Sequence, residues 1–368
     1  MSSKKTFSQS SKTAKRAPEK PAQNPNQSPV KKTSLFKRLI GLSFILIILA
    51  VIAVFAGLSY IKNSYEKPGP LAVDTAFTVP SGAGLSRLSS LLETGGFIEN
   101  GTILRAKARF MDIGGDIKVG EYNIPAGASM AEIVNIISSG KTILYPVTAP
   151  EGLTTAQILR IIAASDHLSG DISLSPPEGS LLPETYMTPR GMSRDAVIRK
   201  MMSDQTALIK RLWEARQEGL PVKTKEEAII LASVVEKETG VGGERAEVAG
   251  VFTNRLRRGM RLQSDPTIIY GISKGEILTG RDGRQRGLRR SEIDRKTDWN
   301  TYQIDGLPKT AICNPGADAL AAVLNPAKTN NLYFVADGTG GHVFSPTLAG
   351  HNANVAKWRK IERERRGR

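Results

Sequence analysis

Two glutamates near the middle of the chain, Glu236 and Glu238, differ in what a helix would place beside them. A helix over about 224–239 puts Val234 and Val235 four and three residues before Glu238, on the same face. A carboxyl group held against apolar side chains keeps its proton more easily, because burial disfavours the charged form. Such a group can act as a general acid near neutral pH. We therefore predict that Glu238 is an acid/base residue.

The sequence leaves other interpretations of Glu238 open. As an acid at the C-terminal end of a helix, it could instead form an ion pair with a cation seven residues on, Arg245. A paired-carboxylate glycosidase would need a second acid nearby. Glu236 points to another side of the helix, and the sequence does not place Asp265 or Glu184.

Three later segments contain more polar and aromatic side chains than packing requires. Amide, hydroxyl and aromatic groups at loop ends suit a sugar, because rings stack on its faces and its hydroxyls need donors and acceptors. Alternatively, the Asn, Asp and Pro residues of these segments form turns or helix caps. The candidate substrate-binding residues are Gln263, Asp265, Tyr270, Asn300, Tyr302 and Asn314.

Metal, thiol and serine chemistry have little support in the sequence. His342 and His351 share one segment, but their spacing fits no helical ligand pair and no HExxH motif accompanies them. Cys313, the only cysteine, has no defined base nearby and is typical of a small packed side chain. No G-x-S-x-G motif is present, and GTGGH is typical of a hairpin turn. We therefore expect no metal and no cofactor, and we place His351 at the start of the terminal helix.

Positive charge is concentrated at the N-terminus of this 368-residue chain, whose formal net charge is +16. Residues 1–38 contain ten Lys or Arg and one acid, but only one aromatic lies before position 35 and there is no recognition motif, so we expect no nucleic-acid partner. From Leu39 to Ile61 there is no charged residue, and this length spans a bilayer as a helix. We predict a disordered basic cytoplasmic tail over 1–34 and a transmembrane helix over 35–62. The alternative, a cleaved signal peptide, fits the long core and preceding tail less well.

The order of element types beyond the apolar segment is irregular, which predicts an α+β fold rather than a regularly wound sheet. Over 70–145, two strands (AFTVP and VGEYNIP) alternate with two helices, the second capped by Ser129 and Glu132. Over 146–362, a strand, a turn and a helix lead into a loop, PPEGSLLPETYMTPRGMS. Three helices, two short strands and a terminal helix follow. In the helix near 244–258 we assign Arg255 to the outer face.

Several long motifs resemble one enzyme family, the MltG/YceG family of endolytic murein transglycosylases. The match to the signature region of the family is in the segment EEAIILASVVEKETGVGGERAEVAGVFTNRLRRGMRLQSDPTIIYG, which resembles it closely. TDWNTYQIDGLPKTAICNPGADAL, NLYFVADGTGGHVF and HNANV resemble its later blocks in the same order, and EGLTTAQI and LLPETY its earlier ones. The resemblance runs from about Ala76 to the C-terminus. The resemblance does not extend to the arginine-rich stretch 280–296.

The resemblance implies a LysM-like module over 70–145, a mixed α+β catalytic domain over 146–362, and a catalytic role for Glu238. It implies cleavage of the β-1,4 bond between N-acetylmuramic acid and N-acetylglucosamine inside peptidoglycan strands, leaving 1,6-anhydro ends without consuming water. Such an enzyme is a lyase, and it would limit strand length beside penicillin-binding proteins. The expected location is the inner (cytoplasmic) membrane, with the catalytic domain periplasmic. The alternative is a non-catalytic peptidoglycan-binding scaffold of the cell-wall synthesis machinery.

Overall fold

The N-terminal part of the structure is one long apolar helix. The computed structural model describes residues 35–111, 117–240 and 242–366, so the predicted tail over 1–34 lies outside the described residues. Helix α1, Leu35–Glu66, extends four residues past the predicted limit of 62. Its stretch Lys37–Glu66 has a mean hydropathy of 3.1, and it is the one helix of the described residues long and apolar enough to cross a membrane. This helix is compatible with a single-pass anchor.

The chain divides into two compact units, and the second begins at Ser64. Its first block contains β1 (Thr75–Val79), α2 (Leu85–Thr94), α3 (Gly101–Met111), β2 (Gly120–Ile124) and α4 (Met130–Ser139). The strands pair antiparallel with Phe77 opposite Tyr122, and both side chains are buried. The predicted cap of α4 is confirmed, since Ser129 and Glu132 form a reciprocal capping box. Helix α3 was not anticipated, and the LysM-like assignment of this block stays a prediction.

The larger block is mostly helical. Its elements are β3 (Leu144–Thr148), α5 (Thr155–Ala164), β4 (Thr185–Pro189), α6 (Arg194–Glu214), α7 (Lys225–Glu238), a 3-10 turn (Gly242–Glu244), α8 (Arg245–Arg257), α9 (Asp265–Ser273), α10 (Arg290–Ile293), α11 (Ala317–Leu324), β5 (Tyr333–Ala336), β6 (His342–Ser345) and α12 (Leu348–Arg366). The strands form two antiparallel pairs, β3–β4 and β5–β6. The α+β prediction is confirmed.

Helix α7 lies at the centre of the main hydrophobic core and packs on α6, α8, α9 and α11. Val234 and Val235 are fully buried, as the helical periodicity predicts. Cys313 is also buried, and its thiol lies 3.4 Å from the backbone carbonyl of Ser233 on α7. It is a packed side chain, and burial raises its pKa well above the usual value.

The larger block differs from the sequence prediction in several places. The segment expected to be a loop contains β4, which pairs with β3 through backbone hydrogen bonds that residue-type patterns do not reveal. Helix α6 ends at Glu214 rather than near 218. The predicted boundary between 145 and 146 falls inside β3.

Candidate active site

Glu238 is the last residue of α7, and its side chain lines a cavity. Its Oε1 accepts a hydrogen bond of 2.5 Å from the hydroxyl of Ser264. Ser264 precedes α9 and is itself buried. Its backbone N–H donates to the Thr301 hydroxyl at 3.0 Å, and that hydroxyl also lies 2.9 Å from the Thr267 hydroxyl. Among the described residues, Ser264 is the one whose side chain hydrogen-bonds Glu238. The buried hydroxyls of Thr301 and Thr267 fix the position of Ser264.

The surroundings of Glu238 favour the protonated carboxyl. Burial raises its pKa, the hydrogen bond from Ser264 lowers it, and the negative charge of Asp265 raises it further. The charges of His342 and Arg255 act in the lowering direction. The position at a helix C-terminus also disfavours a negative charge, because the unpaired carbonyls carry partial negative charge there. The net direction is upward, which suits a general acid.

The ion pair considered as an alternative for Glu238 is formed by its neighbour. Glu236, not Glu238, contacts Arg245, with Oε1 3.2 Å from Nη2. The same guanidinium contacts Glu151 at 3.1 Å and Asp318 at 3.5 Å. The other oxygen of Glu236 accepts from the backbone N–H of Gly316 at 2.9 Å. Among the described residues, no ion pair includes Glu238.

The cavity beside Glu238 has a volume of about 530 Å³. Three of the six candidate substrate-binding residues line it together with Glu238: Gln263, Asp265 and Tyr302. The Tyr302 hydroxyl donates to Asp265 Oδ1 at 2.8 Å. Gln263 has a φ of 53°, in the left-handed region that side-chain-bearing residues rarely adopt. Strained backbone of this kind is concentrated at functional sites.

The other three candidates lie outside this cavity. Asn300 is fully buried, and its amide donates to the backbone carbonyls of Ile293 and Arg295. Asn314 is fully buried as well, and Leu181 N–H donates to its Oδ1 at 2.9 Å. The Tyr270 hydroxyl donates to Glu178 Oε2 at 3.1 Å and lines a different pocket. Their contacts hold loops and helices together.

The assignment of Arg255 to the outer face of α8 was wrong. Arg255 is buried, and its guanidinium donates to the carbonyls of Leu332 at 2.7 Å and Leu262 at 2.8 Å. It therefore joins α8 to the residue before β5 and to the segment leading into α9, and it lines the cavity. Arg255 lies three residues after Phe252 and four after Val251, both buried. This spacing indicates the inner face of α8, so the sequence could have revealed that Arg255 is buried.

The sequence did not single out several residues that lie near Glu238. Ser264 could have been recognised from the Ser-Asp-Pro sequence, because Pro near the first helical position follows a cap residue. Tyr333, His351 and Asn352 come from β5 and α12, and no local pattern brings them near Glu238. His351 does lie in the first turn of α12, as predicted.

Within the described residues, no cluster of three or more His, Cys, Asp or Glu could hold a metal ion. Asp265 does line the same cavity as Glu238, so a second carboxyl is available there. Glu184, the other acid considered, is exposed and lies outside it. One carboxyl group with a raised pKa, a second carboxyl group and a polar cleft together suit acid/base chemistry on a sugar.

Comparison with known proteins identifies the family. The model of the YceG-like family matches residues 77–357, about three quarters of the chain. The chain belongs to the YceG-like family. The family match spans most of both blocks of the second unit and includes every residue that lines the cavity.

Several relatives of this YceG-like chain are known. The endolytic murein transglycosylase of Streptococcus pneumoniae serotype 2 is 26% identical over 371 residues, covering 86% of this chain. The chain spans 65% of the length of that relative. The endolytic murein transglycosylase of Bacillus subtilis is 27% identical over 333 residues, covering 80% of this chain and 89% of the relative. A crystal structure of a yceG-like protein from Listeria monocytogenes is 27% identical, with a TM-score of 0.45, and covers 76% of this chain and 98% of that one.

Proposed function

We propose that this YceG-like protein is a membrane-anchored endolytic transglycosylase of peptidoglycan, with Glu238 as its acid/base. The observation that carries the proposal is a glutamate with an elevated pKa, free of ion pairs among the described residues, on the wall of a polar cavity. The names of the relatives agree with this reaction. The substrate would be the glycan strand, cut at the bond between N-acetylmuramic acid and N-acetylglucosamine.

One carboxyl group suffices for this reaction. Protonated Glu238 donates its proton to the glycosidic oxygen as the bond from that oxygen to C1 of muramic acid breaks. The resulting carboxylate then takes the proton of the muramic acid C6 hydroxyl as the C6 oxygen bonds to C1. The products are a free 4-hydroxyl and a 1,6-anhydro end, and Glu238 is protonated again. Gln263, Asp265 and Tyr302 would bind the sugar or orient Glu238.

The apolar helix α1 supports the anchoring part of the proposal. Basic residues lie chiefly on its N-terminal side, which favours a cytoplasmic N-terminus and a periplasmic catalytic domain. A tether at the inner membrane would keep the cavity near newly made strands, where cleavage would limit strand length beside penicillin-binding proteins. The block over 70–145 would be a LysM-like module and 146–362 the catalytic domain.

Product analysis tests the proposed reaction. Full-length protein in detergent micelles is incubated with purified glycan strands in H₂¹⁸O, and the fragments are analysed by mass spectrometry. We expect 1,6-anhydromuramic ends without ¹⁸O. Reducing ends containing one ¹⁸O would instead indicate a hydrolase, which would need a second carboxylate. Strands that are bound but left intact would indicate the non-catalytic scaffold.

A further inference from the structure

His351 lines the cavity of Glu238 but has an unused polar atom. Its Nδ1 is buried and has no hydrogen-bond partner among the described residues. Leaving a buried polar atom unpaired is unfavourable, and most such atoms in native proteins have partners. The chain has three histidines, and the other two are bonded: His342 Nδ1 lies 2.7 Å from Glu244, and His167 Nε2 lies 2.8 Å from the Thr188 hydroxyl.

The ring of His351 is held in place by stacking rather than by hydrogen bonds at Nδ1. It stacks on Tyr333 with ring centroids 5.2 Å apart and an interplanar angle of 24°. The guanidinium of Arg255 lies 5.2 Å from the centre of the same Tyr333 ring. The plane of the imidazole is therefore set before any ligand arrives. A half-turn about the Cβ–Cγ bond would exchange Nδ1 with Cδ2 and keep this plane.

The protonation state of His351 suits a neutral polar ligand. Burial lowers its pKa, and the positive charge of Arg255 lowers it further. A neutral imidazole offers one N–H donor and one nitrogen acceptor. Sugar hydroxyls and acetamido groups also combine a donor with an acceptor, so they match it. The exposed amide side chain of Asn352 lines the same cavity and adds a second group of this type.

We propose that His351 is a substrate-binding residue whose ring nitrogens hydrogen-bond an N-acetylated sugar held beside Glu238. The proposal rests on the proposed function, because it assigns the ligand of the same cavity. The imidazole fills no acid/base role here. It orients the sugar against α12 while Glu238 acts from α7 on the same cavity.

Kinetics of variants give the first test. We expect His351→Ala to raise KM about three- to tenfold with little change in kcat, since a neutral hydrogen bond to substrate is lost. His351→Gln and His351→Asn place an amide near Nε2 and Nδ1 respectively, and one of them should recover part of the affinity. Lys357→Ala, at an exposed position of the same helix, is the matched control and should leave KM unchanged. An unchanged KM in folded His351→Ala would overturn the proposal.

A direct binding measurement covers the case in which a variant does not fold. The full-length Glu238→Gln protein in micelles, with ¹⁵N-labelled histidine, is titrated with a tetrasaccharide of alternating N-acetylglucosamine and N-acetylmuramic acid. We expect the ring nitrogens of His351 to shift and those of His167 and His342 to stay unchanged. No shift of His351 up to the highest attainable tetrasaccharide concentration would overturn the proposal. A shift without anhydro products from the wild type would refute the reaction and leave the binding role in place.

Discussion

Glu236 and Glu238 lie two residues apart on α7, yet their surroundings differ in what they offer a carboxylate. Glu236 is held by the Arg245 guanidinium and by the backbone N–H of Gly316. Glu238 receives one hydroxyl hydrogen bond, from Ser264, and faces a cavity. The negative charge of Glu236 is balanced by a cation and a backbone N–H. A negative charge on Glu238 would be stabilised by only one hydroxyl hydrogen bond. The comparison teaches that the less stabilised carboxylate is the one available for proton transfer.

The largest expected effect separates the two glutamates by activity. Glu238→Gln removes the proton that the proposed mechanism transfers, so we expect the rate of anhydro-product formation to fall by about 10²–10⁴-fold. Glu236→Gln should reduce it only a few-fold, after correction for the folded fraction. Quantitative mass spectrometry of products, with circular dichroism for folding, makes the measurement. Equal losses in the two variants would remove the distinction between them.

The next effect concerns stability on the Glu236 side. Arg245→Ala leaves Glu236, whose side chain is 5% exposed, without its cation, and we expect the free energy of unfolding to fall by about 3–5 kcal/mol. Urea denaturation followed by circular dichroism measures the change. Arg290→Ala breaks an exposed ion pair with Asp294 and should cost less than about 1 kcal/mol. A small change in Arg245→Ala would mean that Glu236 needs no partner.

A smaller effect should follow from Ser264→Ala. The Ser264 hydroxyl lowers the pKa of Glu238, so its loss should raise that pKa and keep the acid protonated to higher pH. The alkaline limb of the profile of kcat/KM against pH should therefore move to higher pH, with a change of a few-fold in rate at neutral pH. Ser273→Ala, at the far end of helix α9, is the control. An alkaline limb that does not move would exclude Ser264 as the tuning group.

The smallest effect is a gain in stability on the Glu238 side. The pKa of Glu238 is higher in the folded protein than its ordinary value of 4.5. As pH rises from 4.5 to the folded pKa, the unfolded chain loses this proton more readily than the folded protein does, so the free energy of unfolding falls. Glu238→Gln should therefore have a higher Tm than the wild type at pH values above the folded pKa. Each unit of pKa shift corresponds to about 1.4 kcal/mol. The gain should disappear below pH 4.5, where the carboxyl is protonated in both states, and a gain that persists there would have another cause.

Local signals predicted much of the fold. The capping box of Ser129 and Glu132, the buried face of α7 and the β5–β6 hairpin all depend on residues close in sequence. β4 was missed, because its partner β3 lies about forty residues away and supplies the hydrogen bonds that define it. Strand pairing over such a separation is not encoded in residue types alone.

Some residues of the candidate site could be predicted from the sequence and others could not. The apolar neighbours of Glu238 follow from helical periodicity, its catalytic role was implied by the family resemblance, and Gln263, Asp265 and Tyr302 share its cavity. Asn300 and Asn314 looked equally suitable in the sequence, but their amides are used by neighbouring backbone and side chains. His351 and Tyr333 could not be placed near Glu238, because β5 and α12 reach the cavity only through tertiary packing.

The burial of Cys313 makes the chain convenient for site-directed labelling. Its thiol is fully enclosed and its pKa is raised, so at neutral pH it should react slowly with maleimides. A cysteine introduced at an exposed position would then be the one rapidly modified thiol, with no need to replace the native residue. Fluorophores or spin labels attached along α1 or α12 would then test whether α1 enters a lipid bilayer and whether α12 contacts a bound glycan, in otherwise unaltered protein.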